Sequence, residues 1–247
     1  MKIRTAQMET LEEAALQSFE SIVLPKLSEQ FPRSYRMLGD GGMKRVIRHG
    51  VRLARLDGQV TEDGVGRYIE LMFILGSGFR ADAQLPWAAQ ILYDDAIPPG
   101  PARIDALYAQ AMEYADKVYG AGNQNVDTAL KRMRHWGATP LLPTSGSREI
   151  LRLLSAAYPE KCAYLGPDGL EDLLRRGDRR SVRHTLDTLT GKLFCCGLLL
   201  VLGDAFDQDP QYPWIGEALG PSTAAGQSAT ERLYETSVAH IDQWLSS

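Results

Sequence analysis

LMFILGSGFRADAQLPWAAQIL, from Leu71 to Leu92, returns later in the same chain as LLLVLGDAFDQDPQYPWIGEAL, from Leu198 to Leu219. Leu75/Leu202, Gly76/Gly203, Phe79/Phe206, Asp82/Asp209, Gln84/Gln211, Pro86/Pro213 and Trp87/Trp214 keep identical spacing in the two stretches. Working outward, laying Leu38 on Leu165 aligns Leu38–Leu92 with Leu165–Leu219 without a gap. About 17 of roughly 55 aligned positions are identical, against about three expected by chance, which is the self-similarity expected of a repeat. The match extends backwards, with LPKLSEQFP (Leu24–Pro32) over LRLLSAAYP (Leu151–Pro159). It extends forwards with a one-residue slip, Leu107-Tyr108 over Leu233-Tyr234. The sequence therefore predicts an internal duplication: a first repeat over 1–122, a connecting helix and linker over 123–147, and a second repeat over 148–247.

The local patterns are helical throughout. Thr10-Leu-Glu-Glu13 has the form of a capping box and predicts a helix to about Gln30, bent at Pro25. A second helix is predicted from near Asp40, with Met43, Val46, Ile47, Gly50 and Ala54 on one face at a period of about 3.6 residues. Gly50 and its counterpart Gly177 sit on that apolar face, where a glycine costs propensity unless another helix approaches closely. Thr61 caps a third helix, with Glu62 and Asp63 in its first turn, ending at Gly76. A loop, a short helix opened by Pro86-Trp87 and a long helix over about Pro101–Tyr119 follow. The later residues repeat this order, and Ser228-Ala-Thr-Glu231 is the capping box of the last helix. Between the repeats lies one more helix, near Val126–Trp136, and then a Pro/Gly/Ser-rich linker. No alternating strand pattern occurs, so the expected fold class is all-α.

Composition narrows the function. The chain has 247 residues, 44% hydrophobic and 23% charged, with a net charge of −4, which argues against a general nucleic-acid binder. The N-terminus lacks the form of a secretory signal. The longest apolar run, Leu193–Gly203, covers 11 residues where a membrane span needs about 20. A cytoplasmic protein with no membrane contact is the expectation. Cys195 and Cys196 are adjacent and Cys162 stands apart; all three are expected to be small buried hydrophobes.

The repeated motif has a structural explanation at every position. Gly76 and Gly203 stop a helix in the left-handed conformation, and Pro86 and Pro213 open the next one. Asp82, Gln84, Asp209 and Gln211 can bond free amides of the turn. Phe79, Trp87, Phe206 and Trp214 pin the loop to the helices. One carboxylate per copy, without a partner at ligand spacing, is a poor start for catalysis or metal binding. His49, His135, His184 and His240 are scattered. The segment GDGG at Gly39–Gly42 lacks the frame of a phosphate loop. No enzyme activity, catalytic residue, metal, cofactor or small-molecule substrate is expected.

Two surface features remain. Lys44, Arg48, Arg52 and Arg55 form a stripe on one helix face, and Arg175, Arg179 and Arg183 do so in the second copy; a solvated face or a docking strip both fit. Asp204, Asp207 and Asp209 cluster in the second motif loop, where the first has Ser77, Arg80 and Asp82. Such diverging positions are where a duplicated scaffold can acquire binding specificity.

The string LMFxLGxxFxxDxQxPWAxxIL resembles small helical proteins of type VI secretion and polymorphic-toxin gene clusters, over roughly Leu24–Leu92 and Leu151–Leu219. The loop FDQDPQYPW fits the LGxxFDxDPQxPWA pattern better than the first loop, which has Arg80 and Ala83 where Asp and Pro are expected. The resemblance implies a non-catalytic role: an immunity protein that binds a cognate toxin, such as a nuclease acting in the cytoplasm. The acidic cluster Asp204, Asp207 and Asp209 would then face the toxin's basic cleft. An adaptor or co-chaperone for a secreted effector suits the same fold, and a nucleic-acid-binding regulator using the arginine stripes is the third reading.

Overall fold

A computed structural model describes residues 2–138, 141, 146–221 and 227–246. Among the described residues it contains eleven α-helices and no strand, so the chain is all-α. The helices are α1 (Lys2–Gln30), α2 (Pro32–Leu56), α3 (Glu62–Leu75), α4 (Pro86–Leu92), α5 (Pro101–Val118), α6 (Gln124–Met133), α7 (Ser147–Ala157), α8 (Pro159–Arg183), α9 (Leu189–Leu202), α10 (Pro213–Leu219) and α11 (Ala229–Leu245). Under the alignment that lays Leu38 on Leu165, both ends of α2, α3 and α4 fall on the ends of α8, α9 and α10. Part of the linker expected within 123–147 lies outside the described residues.

Local chemistry explains most of the boundaries. Thr61 and Thr188 accept from the backbone N–H of Gly64 and Gly191, which caps α3 and α9. Pro32 and Pro159 open α2 and α8, where a missing N–H costs nothing. Both helices break at the same place: Gly39 (φ 59°, ψ 179°) and Gly166 (φ 65°, ψ 179°) adopt a conformation that side chains with a Cβ avoid. The helix expected from Asp40 is thus the second arm of a kinked α2. Ser228 and Glu231 form the expected reciprocal capping box of α11.

Two expectations are corrected. Thr10 does not open a helix; α1 begins at Lys2 and runs through it. Ala6, Gln7, Met8 and Glu9 are good helix formers with no breaker among them, so the local cap signal loses to propensity. Gly76 (φ 93°, ψ 150°) and Gly203 (φ 91°, ψ 177°) have positive φ but extended ψ, and so are not left-handed helical caps. That region is open essentially to glycine alone.

The buried side chains of both halves belong to one connected cluster running from Val23 to Ile241. Gly50 and Gly177 let α2 meet α3 and α8 meet α9 closely. A Cβ on Gly50 would lie 2.5 Å from Ile69 Cγ1, and one on Gly177 would collide with Cys196 Sγ. Under the same alignment Cys196 falls on Ile69, and burial pushes its thiol up to about 12. It acts as a packing residue. Gly177→Ala is expected to cost about 1–2 kcal/mol by overpacking. Adding Cys196→Ala, which removes the colliding sulfur, should recover part of that loss in a urea-denaturation cycle. A double variant less stable than the sum of the singles would refute this account of the glycine.

Candidate functional site

The motif loops after α3 and α9 face each other, and their polar side chains cross between the halves. Asp82 Oδ1 accepts from the N–H of Gln84 in its own loop at 2.8 Å, and Asp209 Oδ1 from Gln211 at 2.9 Å. The second oxygens reach across. Asp82 Oδ2 accepts from the N–H of Asp204 at 2.9 Å, and Asp209 Oδ2 from the N–H of Ser77 at 2.7 Å. Ser77 also donates its hydroxyl to Asp209 Oδ1 at 2.6 Å. The glutamines repeat the exchange: Gln84 Nε2 donates to the Leu199 carbonyl and Gln211 Nε2 to the Met72 carbonyl, both at 2.8 Å. Under the alignment that lays Leu38 on Leu165, Ser77 falls on Asp204 and Met72 on Leu199, so the arrangement is a reciprocal clasp.

The other motif residues make room for it. A Cβ on Gly76 would press on the Leu202 carbonyl at 2.9 Å, and one on Gly203 on Asp82 Oδ2 at 2.8 Å. Phe79 and Phe206 are fully buried beneath their loops. Trp87 and Trp214 lie half-buried after the opening prolines of α4 and α10, against Tyr114 and His240 respectively. Asp82, Gln84, Asp209 and Gln211 are all buried. Burial raises the Asp209 carboxyl above its ordinary value, and the bonds from Ser77 and Gln211 oppose that rise.

The carboxylates of the acidic cluster are engaged within the chain. Asp204 accepts from Arg176 at 2.7 Å and from Arg180 at 2.6 Å. Asp207 pairs with His184 at 2.9 Å, and Asp209 belongs to the clasp. The first loop carries the same pair with its polarity reversed. Arg80 grips Asp57 through two nitrogens, and Asp57 also accepts from the Tyr68 hydroxyl. Under the same alignment His184 falls on Asp57, and Asp207 on Arg80. The divergence between the loops is therefore a compensated exchange of acid and base. Sequence reading missed it because Asp57 and His184 lie outside the motif string, though the opposite signs at equivalent positions were a usable signal.

The basic stripes are partly neutralised. Arg48 bonds Glu20 at 2.5 Å and Glu13 at 2.9 Å, and Arg175 meets Glu171 and Asp172. Lys44, Arg52, Arg55, Arg179 and Arg183 are exposed. Compared with protein families, curated proteins and solved structures, the chain finds no match in any of the three.

Among the described residues no three His, Cys, Asp or Glu side chains gather in a metal-binding arrangement, and no helix is long and apolar enough to cross a membrane. One apolar opening among the described residues was not foreseen from the sequence. It lies between α2 and α11 and is walled by Phe73, Leu198, Leu202, Trp214 and Trp244.

Proposed function

We propose that the chain is a tandem pair of one helical unit, and that it acts as a protein-binding scaffold: an immunity protein that holds a cognate antibacterial toxin, a nuclease, inactive in the cytoplasm. One observation carries this reading. The most chemically loaded residues of the repeated motif, Asp82, Gln84, Asp209 and Gln211, are buried and bonded across the two halves. Their chemistry goes into making one stiff body, and that leaves function to the surface.

A pre-organised surface suits inhibition. A stable complex of standard size covers about 1,600 Å² in all, roughly half from each partner, and occluding a toxin's substrate cleft needs no reaction. Elements held by a clasp and a shared core lose little entropy on docking, which favours slow dissociation. The exposed Lys44, Arg52, Arg55, Arg179 and Arg183 offer positive charge to acidic patches of the toxin outside its basic cleft.

The test is a strain lacking only this gene, grown in dense contact with its parent. Killing of the deletant, abolished when the parent also lacks the neighbouring effector gene, supports immunity. A deletant that survives but no longer delivers that effector to other cells makes the protein an adaptor, and immunity is overturned.

A further inference from the structure

The opening between α2 and α11 has a filled counterpart. α5 packs on α8 as α11 packs on α2. Between α5 and α8 the side chain of Lys161 is buried, donates to the Tyr114 hydroxyl and stands 5.0 Å from that ring's centre. Tyr164 meets the same ring edge-on at 5.0 Å, and Trp87 flanks it at 6.2 Å. In the first repeat the counterparts of Lys161 and Tyr164 are Ser34 and Met37. Trp214 corresponds to Trp87, Gln211 to Gln84 and, with the one-residue slip, His240 to Tyr114. The second site therefore has the same frame with its lysine cut back to serine and its tyrosine to methionine. What results is a cavity of about 130 Å³. That is close to the ~150 Å³ apolar cavity known to take benzene, and an unbranched four-carbon stem needs no more.

Two acceptor atoms stand at this cavity, beside the hydroxyls of Ser34 and Tyr212 and the indole N–H of Trp214. Gln211 is only 7% exposed, and its Nε2 is committed to the Met72 carbonyl. Its Oε1 receives no donor among the described residues, although the side chain lines the cavity. His240 donates from Nδ1 to the Thr236 carbonyl at 2.9 Å, which in the neutral ring leaves Nε2 as an acceptor. Its ring stacks on Trp214 at 4.4 Å. Two acceptors at the polar side and indole faces along the wall ask for an apolar stem ending in N–H donors, and a cation gains further from the rings.

We propose that this pocket takes the side chain of a lysine presented by a partner protein, its stem between α2 and α11 as that of Lys161 lies between α5 and α8. Its ammonium lies beside the half-exposed His240 and Trp214, where it keeps the water that buried Lys161 lacks. Only the source of the lysine rests on the protein-binding role above; the chemistry of the pocket does not.

The experiment titrates the full chain with n-butylammonium chloride, capped N-acetyl-lysine methylamide, n-butanol and 1,4-diaminobutane, following tryptophan fluorescence at constant ionic strength. Saturable binding of butylammonium and capped lysine is expected, with n-butanol at least about tenfold weaker, a difference of about 1.4 kcal/mol. The variant S34K/M37Y, which rebuilds the filled site, should keep its helical spectrum and lose the response. Equal binding of n-butanol overturns the proposal on the unmodified protein, whether or not the variant folds. So does a folded variant that still binds butylammonium. Diamine binding more than about tenfold tighter than capped lysine assigns the pocket to a free amine and overturns the partner lysine. Survival of the deletant strain leaves these titrations unchanged, so the two readings fail separately.

Discussion

Replacing Asp209 with alanine is expected to lower the stability of the whole chain by about 3–5 kcal/mol, because four donors converge on this carboxylate and buried donors are costly to strand. They are the Ser77 N–H, the Ser77 hydroxyl, the Gln211 N–H and, at 3.4 Å, Gln211 Nε2. Ser77 is 2% exposed, so water cannot readily replace the lost acceptor. Each buried donor left unmade costs about 1–3 kcal/mol, and bonds to a charged acceptor are the stronger kind. Asparagine is no remedy, because both oxygens accept and its NH2 would face a donor. Burial holds the Asp209 carboxyl above its ordinary value. In the window between its unfolded and folded pKa values the native state binds more protons, so the carboxylate's contribution falls as pH rises there. The substitution should flatten that slope while the bonds lost dominate the total. Urea denaturation followed by helical circular dichroism measures both effects. A midpoint unchanged by Asp209→Ala would sink the clasp as a stabilising element.

Much of this frame was legible in the sequence, for physical reasons that stop at a definite point. Helix stops at Gly76 and Gly203 and caps at Thr61 and Ser228 depend on backbone terms that act within a few residues. They leave a residue-type signature wherever they occur. The motif's Asp residues were recognisable as amide-binding, and each does bond an amide in its own loop, whereas the glutamines donate to carbonyls instead. Their second role joins atoms far apart along the chain, and no local rule marks it. The same limit hid the fate of the acidic cluster. Asp204 and Asp207 read as a negative patch along the chain, but α8 and the turn after it bring Arg176, Arg180 and His184 against them. Charge counted along a sequence becomes a surface property only after packing has paired it.

Lys161 presents the opposite case, a residue whose removal should help. Lys161→Met is expected to raise stability at pH 7 by about 2–3 kcal/mol, the size set by its pKa shift. The side chain is 4% exposed, and burial brings its pKa down to about 8 although the negative charge of Asp82 pulls the other way. An unfolded lysine titrates near ~10.4. Below about pH 8 both states carry the proton, and the native state bears the full cost of a buried ammonium. A difference of a little over two pKa units, at about 1.4 kcal/mol each, gives that cost. Between about pH 8 and ~10.4 the unfolded chain binds more protons, so stability rises with pH until the cost is gone. Methionine has a similar length, fills the same space beside Tyr114 and carries no charge to desolvate. It gives up only the bond to the Tyr114 hydroxyl, worth about 1 kcal/mol net. The variant should therefore be the more stable protein at pH 7, with its lead shrinking as pH rises through that window. Denaturation at pH 7 and pH 10 decides the matter. Equal stability of the two proteins at pH 7, or a wild-type curve flat across the window, would mean that the ammonium is solvated or compensated where it lies. The cost is tolerable because Lys161 and Tyr164 fill a site that Ser34 and Met37 leave open on the other side. One half closes that site with its own lysine, and the other leaves it open between α2 and α11.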